Sequence, residues 1–245
     1  MSDPVTAVGG IIAVVAAIIG VVNTLRQSRT DERVARLGTE LEAELHRRTA
    51  LIDRELNAED VLTRYREPLA AAAFDLQSRL YNILELGFLE LWGGSHARAE
   101  DALRTTMFRL AQYFGWTEIL RRDVQFLSFP EAEETRRVAA LQTEIAMRFL
   151  THEPGVALMI WSDEQRAIGE QMIVEEHGQI RCMGYAAFHE ACDSTFDPWC
   201  QRLRAELAED SAKTRMREAQ HLLCELVEAL DPRHLRYAAD RLKKA

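Results

Sequence analysis

The run PVTAVGGIIAVVAAIIGVVNTL, from Pro4 to Leu25, holds about 22 consecutive residues without one charged side chain. Built as an α-helix at 1.5 Å per residue it reaches about 33 Å, and the hydrocarbon core of a bilayer is about 30 Å thick. Its Val, Ile and Leu side chains each favour the bilayer centre by roughly 0.3 to 0.6 kcal/mol, which together outweigh Thr6, Asn23 and Thr24 near the ends. The sequence therefore predicts a transmembrane anchor over residues 1–27. A cleaved signal peptide fits less well, because no Lys or Arg precedes the apolar run and no small-x-small cleavage site follows it.

Charge sets the orientation of such a span. Arg26, Arg29, Arg33 and Arg36 follow it while only Asp3 precedes it, and basic flanks stay on the cytoplasmic side. The expectation is a single-pass protein of the inner or plasma membrane, N-terminus outside and the bulk of the chain cytoplasmic. Within the span Gly9, Ala13, Ala16 and Gly20 recur at steps of four and three, which gathers small residues on one face. A second backbone can approach there, so a homodimer is expected, with membrane lipid around it.

Residues 28–57 read as an amphipathic stalk. Val34, Leu37, Leu41, Leu45, Ile52 and Leu56 form an apolar stripe whose eleven-residue period keeps a seam nearly straight. Arg48 interrupts it, and Gly38 is a point of flexure. The stripe suits either self-association, extending the homodimer, or packing on the domain that follows.

Of the 245 residues 47% are hydrophobic, enough beyond the anchor and stalk for one domain, 58–245, with a sizeable core. The formal net charge of -9 excludes nucleic acid as the natural partner, since a polyanion needs a concentrated basic face. Cys182, Cys192, Cys200 and Cys224 would stay reduced in the cytoplasm, so no disulfide framework is expected.

The domain reads as all-α, a multi-helix bundle of the up-and-down kind. Pro68 opens a central helix that continues to Trp92 and stops at Gly93-Gly94, with Leu69, Ala72, Ala73, Leu76, Leu80 and Ile83 among its apolar positions. A second helix carries Leu103, Met107, Leu110 and Phe114 to a stop at Gly115, and a short one follows from Glu118 to Leu127. Pro130 opens another that runs to Leu150, with Val138, Leu141, Ile145 and Phe149 on one face. Ala157–Trp161 suits a strand or a helix start. Ser162 with Gln165 makes a capping box for the next helix, and His177-Gly178 signals one short β-hairpin near 174–183. Helices follow over Tyr185–Cys192, from Asp197 to Leu207 and from Ala212 to Leu230, the last setting Met216, Ala219, Leu223, Leu226 and Leu230 inward. Asp231-Pro232 starts a final one.

Three constellations could carry chemistry. Asp75, Arg79 and Asn82, at steps of four and three, share a helix face and can form a polar network. Asp163, Arg166 and Glu170 are spaced for helical ion pairs. His177, Cys182, His189, Cys192 and Cys200 make the third, of which His189 and Cys192, three apart, could meet one metal from a helix, although no C-x-x-C accompanies them. Neither a phosphate-binding glycine loop nor a zinc-protease or serine-hydrolase motif occurs, so no cofactor is expected. The reading is a membrane-anchored helical scaffold or adaptor that recruits a protein partner at the cytoplasmic face. The alternative is a membrane-tethered enzyme or sensor, with its site where the Asp163 to His189 region meets the Asp75, Arg79, Asn82 stripe.

Overall fold

The computed structural model describes residues 43–49, 64–92, 98–124, 133–176 and 179–245. The chain divides into two units, Met1–Asp53 and Arg54–Ala245. In the first, residues 43–49 are helical and exposed throughout, Leu45 included, and Arg48 pairs with Glu44 one turn earlier at 3.0 Å. The expected span and its Gly9, Ala13, Ala16 and Gly20 face, like the rest of the stalk, lie outside the described residues. Among the described residues no helix is long and apolar enough to cross a membrane.

The second unit is a helical bundle with one small two-stranded sheet. Helix α1 covers residues 64–86. Leu69, Ala72, Ala73, Leu76, Leu80 and Ile83 are all buried, a run of three- and four-residue steps that keeps one face inside. Both ends differ from the expectation. Helix is already formed at residue 64, so Pro68 sits a turn inside it. The C-terminal stop is Gly87, whose φ of 61° is the left-handed conformation that ends a helix and that only glycine adopts without strain. Helix α2, Phe88–Trp92, then restarts, with Leu91 N–H donating to the Gly87 carbonyl at 2.8 Å.

Helix α3 runs unbroken over Ala99–Val124, so Gly115 is not the expected stop and no separate helix begins at Glu118. The reason is packing. A Cβ on Gly115 would stand 2.7 Å from Cys182 Sγ and 2.8 Å from Met172 Cβ. The glycine is there to let neighbours close in on α3. Helix α4, Glu133–Leu150, buries Val138, Leu141, Ile145 and Phe149, and Phe149 meets Phe114 of α3 edge-on at 5.7 Å.

Residues 151–161 form neither strand nor helix. Leu158 is buried with φ 65°, an uncommon conformation for a residue with a side chain. It is held by its N–H on Glu206 Oε2 at 2.8 Å, while Arg202 ties Glu206 to Glu164 and to the Met159 carbonyl. Helix α5, Ser162–Gln171, is capped one residue earlier than expected: the Trp161 N–H donates to Glu164 Oε2 at 2.8 Å. The hairpin follows as β1, Ile173–Glu176, antiparallel to β2, Gln179–Cys182, with Ile173 opposite Cys182 and Glu176 opposite Gln179.

Helices α6, Tyr185–Ala191, α7, Asp197–Leu207, and α8, Ala212–Leu230, complete the bundle. The five positions expected to face inward on α8 are all buried. Among the helices α2 to α8 the most extensive pairings join α3 to α5 and α4 to α8, partners that are not sequence neighbours as an up-and-down layout would have them. Buried Arg215 of α8 donates to the carbonyls of Arg148, Thr151 and Ala157. It closes the C-terminal end of α4, where orphan carbonyls need donors. The expected last helix after Pro232 is replaced by turns and a single 3-10 turn, Ala239–Arg241. The Asp231 carboxylate accepts from the N–H groups of Leu235, Arg236 and Tyr237, a side-chain alternative to helical bonding. Buried Gln220 then holds the tail, donating to the Lys243 carbonyl at 2.7 Å and to Gln77 Oε1 at 3.1 Å.

Candidate functional site

The densest group of reactive and charged side chains lies where α6 turns into α7 against α3. Cys192 caps the end of α6 and Cys200 stands in the first turn of α7. The turn between them is closed by the Phe196 N–H on the Ala191 carbonyl at 3.3 Å and the Asp197 N–H on the Ser194 carbonyl at 3.3 Å. Phe196 packs on Phe188 with the rings tilted and their centres 4.9 Å apart, and Phe188 meets Phe108 of α3 at 5.5 Å. This aromatic floor fixes the turn, and it brings the two sulfurs to 3.8 Å.

Charge surrounds the pair. Arg204 lies four residues after Cys200, hence on the same face of α7, and its Nη2 donates to Cys192 Sγ at 2.9 Å and to Asp193 Oδ1 at 2.8 Å. From α3 the nearly buried Arg104 reaches Asp193 Oδ2 at 2.8 Å, Glu100 at 2.5 Å and the His189 carbonyl at 3.2 Å. Asp193 is thus clamped between two guanidiniums, and Arg204 first, then Arg104, hold its carboxyl below the usual carboxylate range. Donation from the Cys200 thiol and the Arg204 guanidinium together bring the Cys192 thiol down to about 6, against burial. Cys200 shifts the other way, because it faces the sulfur that ionises first and is itself buried. Such an environment makes one thiol of the pair a nucleophile at neutral pH and leaves the other its proton.

The remaining thiols are of a different kind. Burial pushes Cys182 up to about 12 and Cys224 to about 11. Cys224 belongs to the Gln77 and Gln220 network under the tail.

The polar candidates separate. Asp75 pairs with Arg109 of α3, Arg79 lies over the Phe88 ring at 4.0 Å, and Asn82 is half-buried on the same helix. Burial, and then Arg109, lower the proton affinity of the Arg79 guanidinium. Asp163 and Arg166 are exposed on α5. Glu170 pairs with Arg122 of α3 at 3.2 Å, a partner from another helix in place of Arg166. Arg109 and Arg122 stand about 20 Å apart along α3 at 1.5 Å per residue, so the two stripes meet that helix at different levels. His189 is exposed with its ring edge-on to Tyr185, while Cys192 is buried and turned to Cys200. Among the described residues no three His, Cys, Asp or Glu side chains converge as a metal site.

Sequence reasoning grouped Cys192 with Cys200 only as candidate metal ligands and missed Arg204 and Arg104 as their partners in one site. The four-residue step from Cys200 to Arg204 was the available signal; the approach of Arg104 from α3 has none. A separate surface hollow of about 460 Å³ lies at the end of α8, lined by Arg66, Glu67, Asp231, Arg233, Arg236 and Tyr237 among others. Its carboxylates are engaged, Glu67 by Arg236 at 3.0 Å and Asp231 by the three N–H groups of its own turn. Comparison with protein-family models, with curated proteins and with solved structures returns no match.

Proposed function

We propose that this chain is a single-pass, membrane-anchored helical scaffold: residues 4–25 hold it in the bilayer of the inner or plasma membrane, the stalk of residues 28–57 spaces the domain from it, and the domain recruits a protein partner at the cytoplasmic face. The observation that carries the reading is at the α1–α2 corner. Leu86, Leu91 and Trp92 are 58%, 66% and 39% exposed within a few residues of one another, and clustered large apolar groups of this kind suit a partner's apolar surface. The polar stripes support it by their state, since Asp75 and Glu170 are already neutralised by arginines of α3 in place of converging on a cleft.

The test is co-purification of the full chain from detergent-solubilised native membranes, compared with Leu86→Ser/Leu91→Ser. The expected result is a partner bound by the parent protein and lost from the variant, with both extracted from membranes only by detergent. A partner retained at parental level by the variant would remove the corner from the reading. Release of the chain by alkaline carbonate alone would remove the anchor. Homodimerisation through Gly9, Ala13, Ala16, Gly20 and the stalk is part of the same proposal. Sedimentation of chains cut at Gln27 and at Ala58 separates the two contributions.

A further inference from the structure

We propose that Cys192 and Cys200 form a peroxide-reactive dithiol: a hydroperoxide oxidises Cys192, and Cys200 then closes an intramolecular disulfide across the α6–α7 turn. The inference needs neither a bilayer nor a partner, and so stands apart from the scaffold reading.

Geometry is the first support. A disulfide has its sulfurs about 2.05 Å apart, and here they lie at 3.8 Å, a gap that rotations of the two side chains, one at the cap of α6 and one in the first turn of α7, can close. Position is the second. The Arg204 guanidinium rests on Cys192 Sγ at 2.9 Å, and a cation in that place stabilises the thiolate, the form that attacks. The turn is the third. Both cysteines are buried, at 0% and 2% exposure, yet residues 193–195 of the turn that joins them are exposed, so opening that short turn is the route by which an oxidant the size of hydrogen peroxide would enter.

The chemistry balances in two steps. The Cys192 thiolate attacks one peroxide oxygen: an S–O bond forms, the O–O bond breaks and hydroxide leaves. The sulfur becomes a sulfenic acid, oxidised by two electrons as the peroxide is reduced by two. Cys200 sulfur then attacks the sulfenic sulfur: the S–S bond forms, the S–O bond breaks and the departing hydroxide takes the Cys200 proton. Two thiols and one hydrogen peroxide give one disulfide and two waters. Arg204 loses its sulfur anion in the process, and the end of α6 becomes tied to the start of α7. A dithiol reductant reverses the change.

The experiment uses the full chain, reduced, in detergent, exposed to hydrogen peroxide at pH 7. Free thiols are blocked with light iodoacetamide, disulfides are reduced, and the new thiols take heavy iodoacetamide. Fragmentation of the tryptic peptide from Cys182 to Arg202 then places each label. Heavy label on Cys192 and Cys200 alone, in equal amount, with a monomer mass lower by two hydrogens before reduction, is expected. In Cys200→Ser a sulfenic acid should be trapped on Cys192 by dimedone; in Cys192→Ser, Cys200 should stay light. Arg204→Gln should slow the oxidation roughly tenfold at pH 7, following the thiolate fraction, and Arg204→Lys should restore much of the rate. Heavy label spread equally to Cys182 and Cys224, a disulfide between chains, or Cys192 over-oxidised with no disulfide would each overturn the proposal. So would a parental chain that peroxide leaves fully light, a result that needs no variant to fold.

Discussion

Helix α3 meets the rest of the bundle in two chemically opposite ways. Toward α5 it presents Phe114 and Glu118 to a glycine, and an added Cβ on Gly169 would stand 2.6 Å from the Phe114 carbonyl oxygen and 2.9 Å from Glu118 Cβ. Toward α6 and α7, beside the packing of Phe108 on Phe188, it sends Arg104 across to Asp193, whose carboxylate is shared with the Arg204 guanidinium that rests on Cys192. The first interface has no room, so it tolerates no change of shape. The second is held by charge at a half-exposed edge, so chemistry at one sulfur can alter it. A scaffold needs contacts of the first kind to keep one shape, and a responsive element needs the second.

The largest effect that separates them is steric. Gly169→Ala should destabilise the full chain by about 3 kcal/mol, because the new methyl meets backbone that cannot move without shifting α3 against α5. Gly115→Ala meets the side chains of Cys182 and Met172 and should cost about 2 kcal/mol. Urea unfolding in detergent, followed by far-UV circular dichroism, measures both. A loss below about 0.5 kcal/mol for Gly169→Ala, within the range of an ordinary surface change, would mean that the crossing is looser than its geometry states.

That crossing also marks what the sequence could and could not disclose. Apolar positions such as Val138, Leu141, Ile145 and Phe149, or the inward set of α8, follow from period alone, and the structure buries them all. Gly115 was misread because a glycine that ends a helix and one that lets another element approach look alike until the neighbour is known. Gly87, which does end α1, lies between Leu86 and Phe88 in an apolar run that reads as continuous helix. The same limit applies to charge. Asp75, Arg79 and Asn82 were legible as one face, but Arg109 and Arg122 were not legible as the partners of Asp75 and Glu170, since such pairs depend on which helices pack. Asp231-Pro232 carries a helix-start signal, yet the carboxylate bonds three N–H groups of a non-helical turn, an alternative open to any Asp.

The charged interface should yield less than the glycine crossing. Arg104→Met keeps much of the side chain's volume while removing its bonds to Asp193, Glu100 and the His189 carbonyl. A loss of about 2 kcal/mol is expected, in the range for a mostly buried, multiply bonded donor. Asp193 should then titrate closer to an ordinary carboxylate, which the carbonyl stretch of a ¹³C-labelled aspartate reads directly. A larger loss than that of Gly169→Ala would reverse the ranking of the two interfaces.

Acidity distinguishes the thiols by sign. Cys192 has a folded value of about 6, below the ordinary thiol range of about 8.5 to 9. Its contribution is therefore complete above the unfolded value and lost as pH falls through 6. Cys182, Cys200 and Cys224 are raised, so theirs is complete below the unfolded value and lost as pH climbs beyond it. Stability should rise by about 1 to 2 kcal/mol from pH 6 to pH 9 and fall again above, and Cys192→Ala should remove the rising limb while keeping the fall. Denaturant midpoints at pH 6, 7.5, 9 and 10 decide this. An unchanged rising limb in Cys192→Ala would detach Arg204 from any role in holding a thiolate.

The smallest effect belongs to the polar stripe of α5. Asp163 and Arg166 are exposed and Glu170 reaches only the rim of α3 through Arg122. Exposed pairs contribute about 0 to 1 kcal/mol. Asp163→Asn and Arg166→Gln should therefore each change stability by less than about 0.5 kcal/mol, and Glu170→Gln by about the same. The comparison depends on that near-silence, because the buried face of α5, a few ångströms away at Gly169, is where the largest loss is expected. Salt sharpens the reading further: raising ionic strength toward 1 M shortens the screening length to about 3 Å and should erase whatever Glu170→Gln costs. It should leave the Gly169→Ala loss unchanged, because a steric clash is not screened. If Asp163→Asn or Arg166→Gln instead cost more than 1 kcal/mol in high salt, α5 would be held from its outer face, and the division of α3 into a packed side and a charged side would have to be redrawn around that contact.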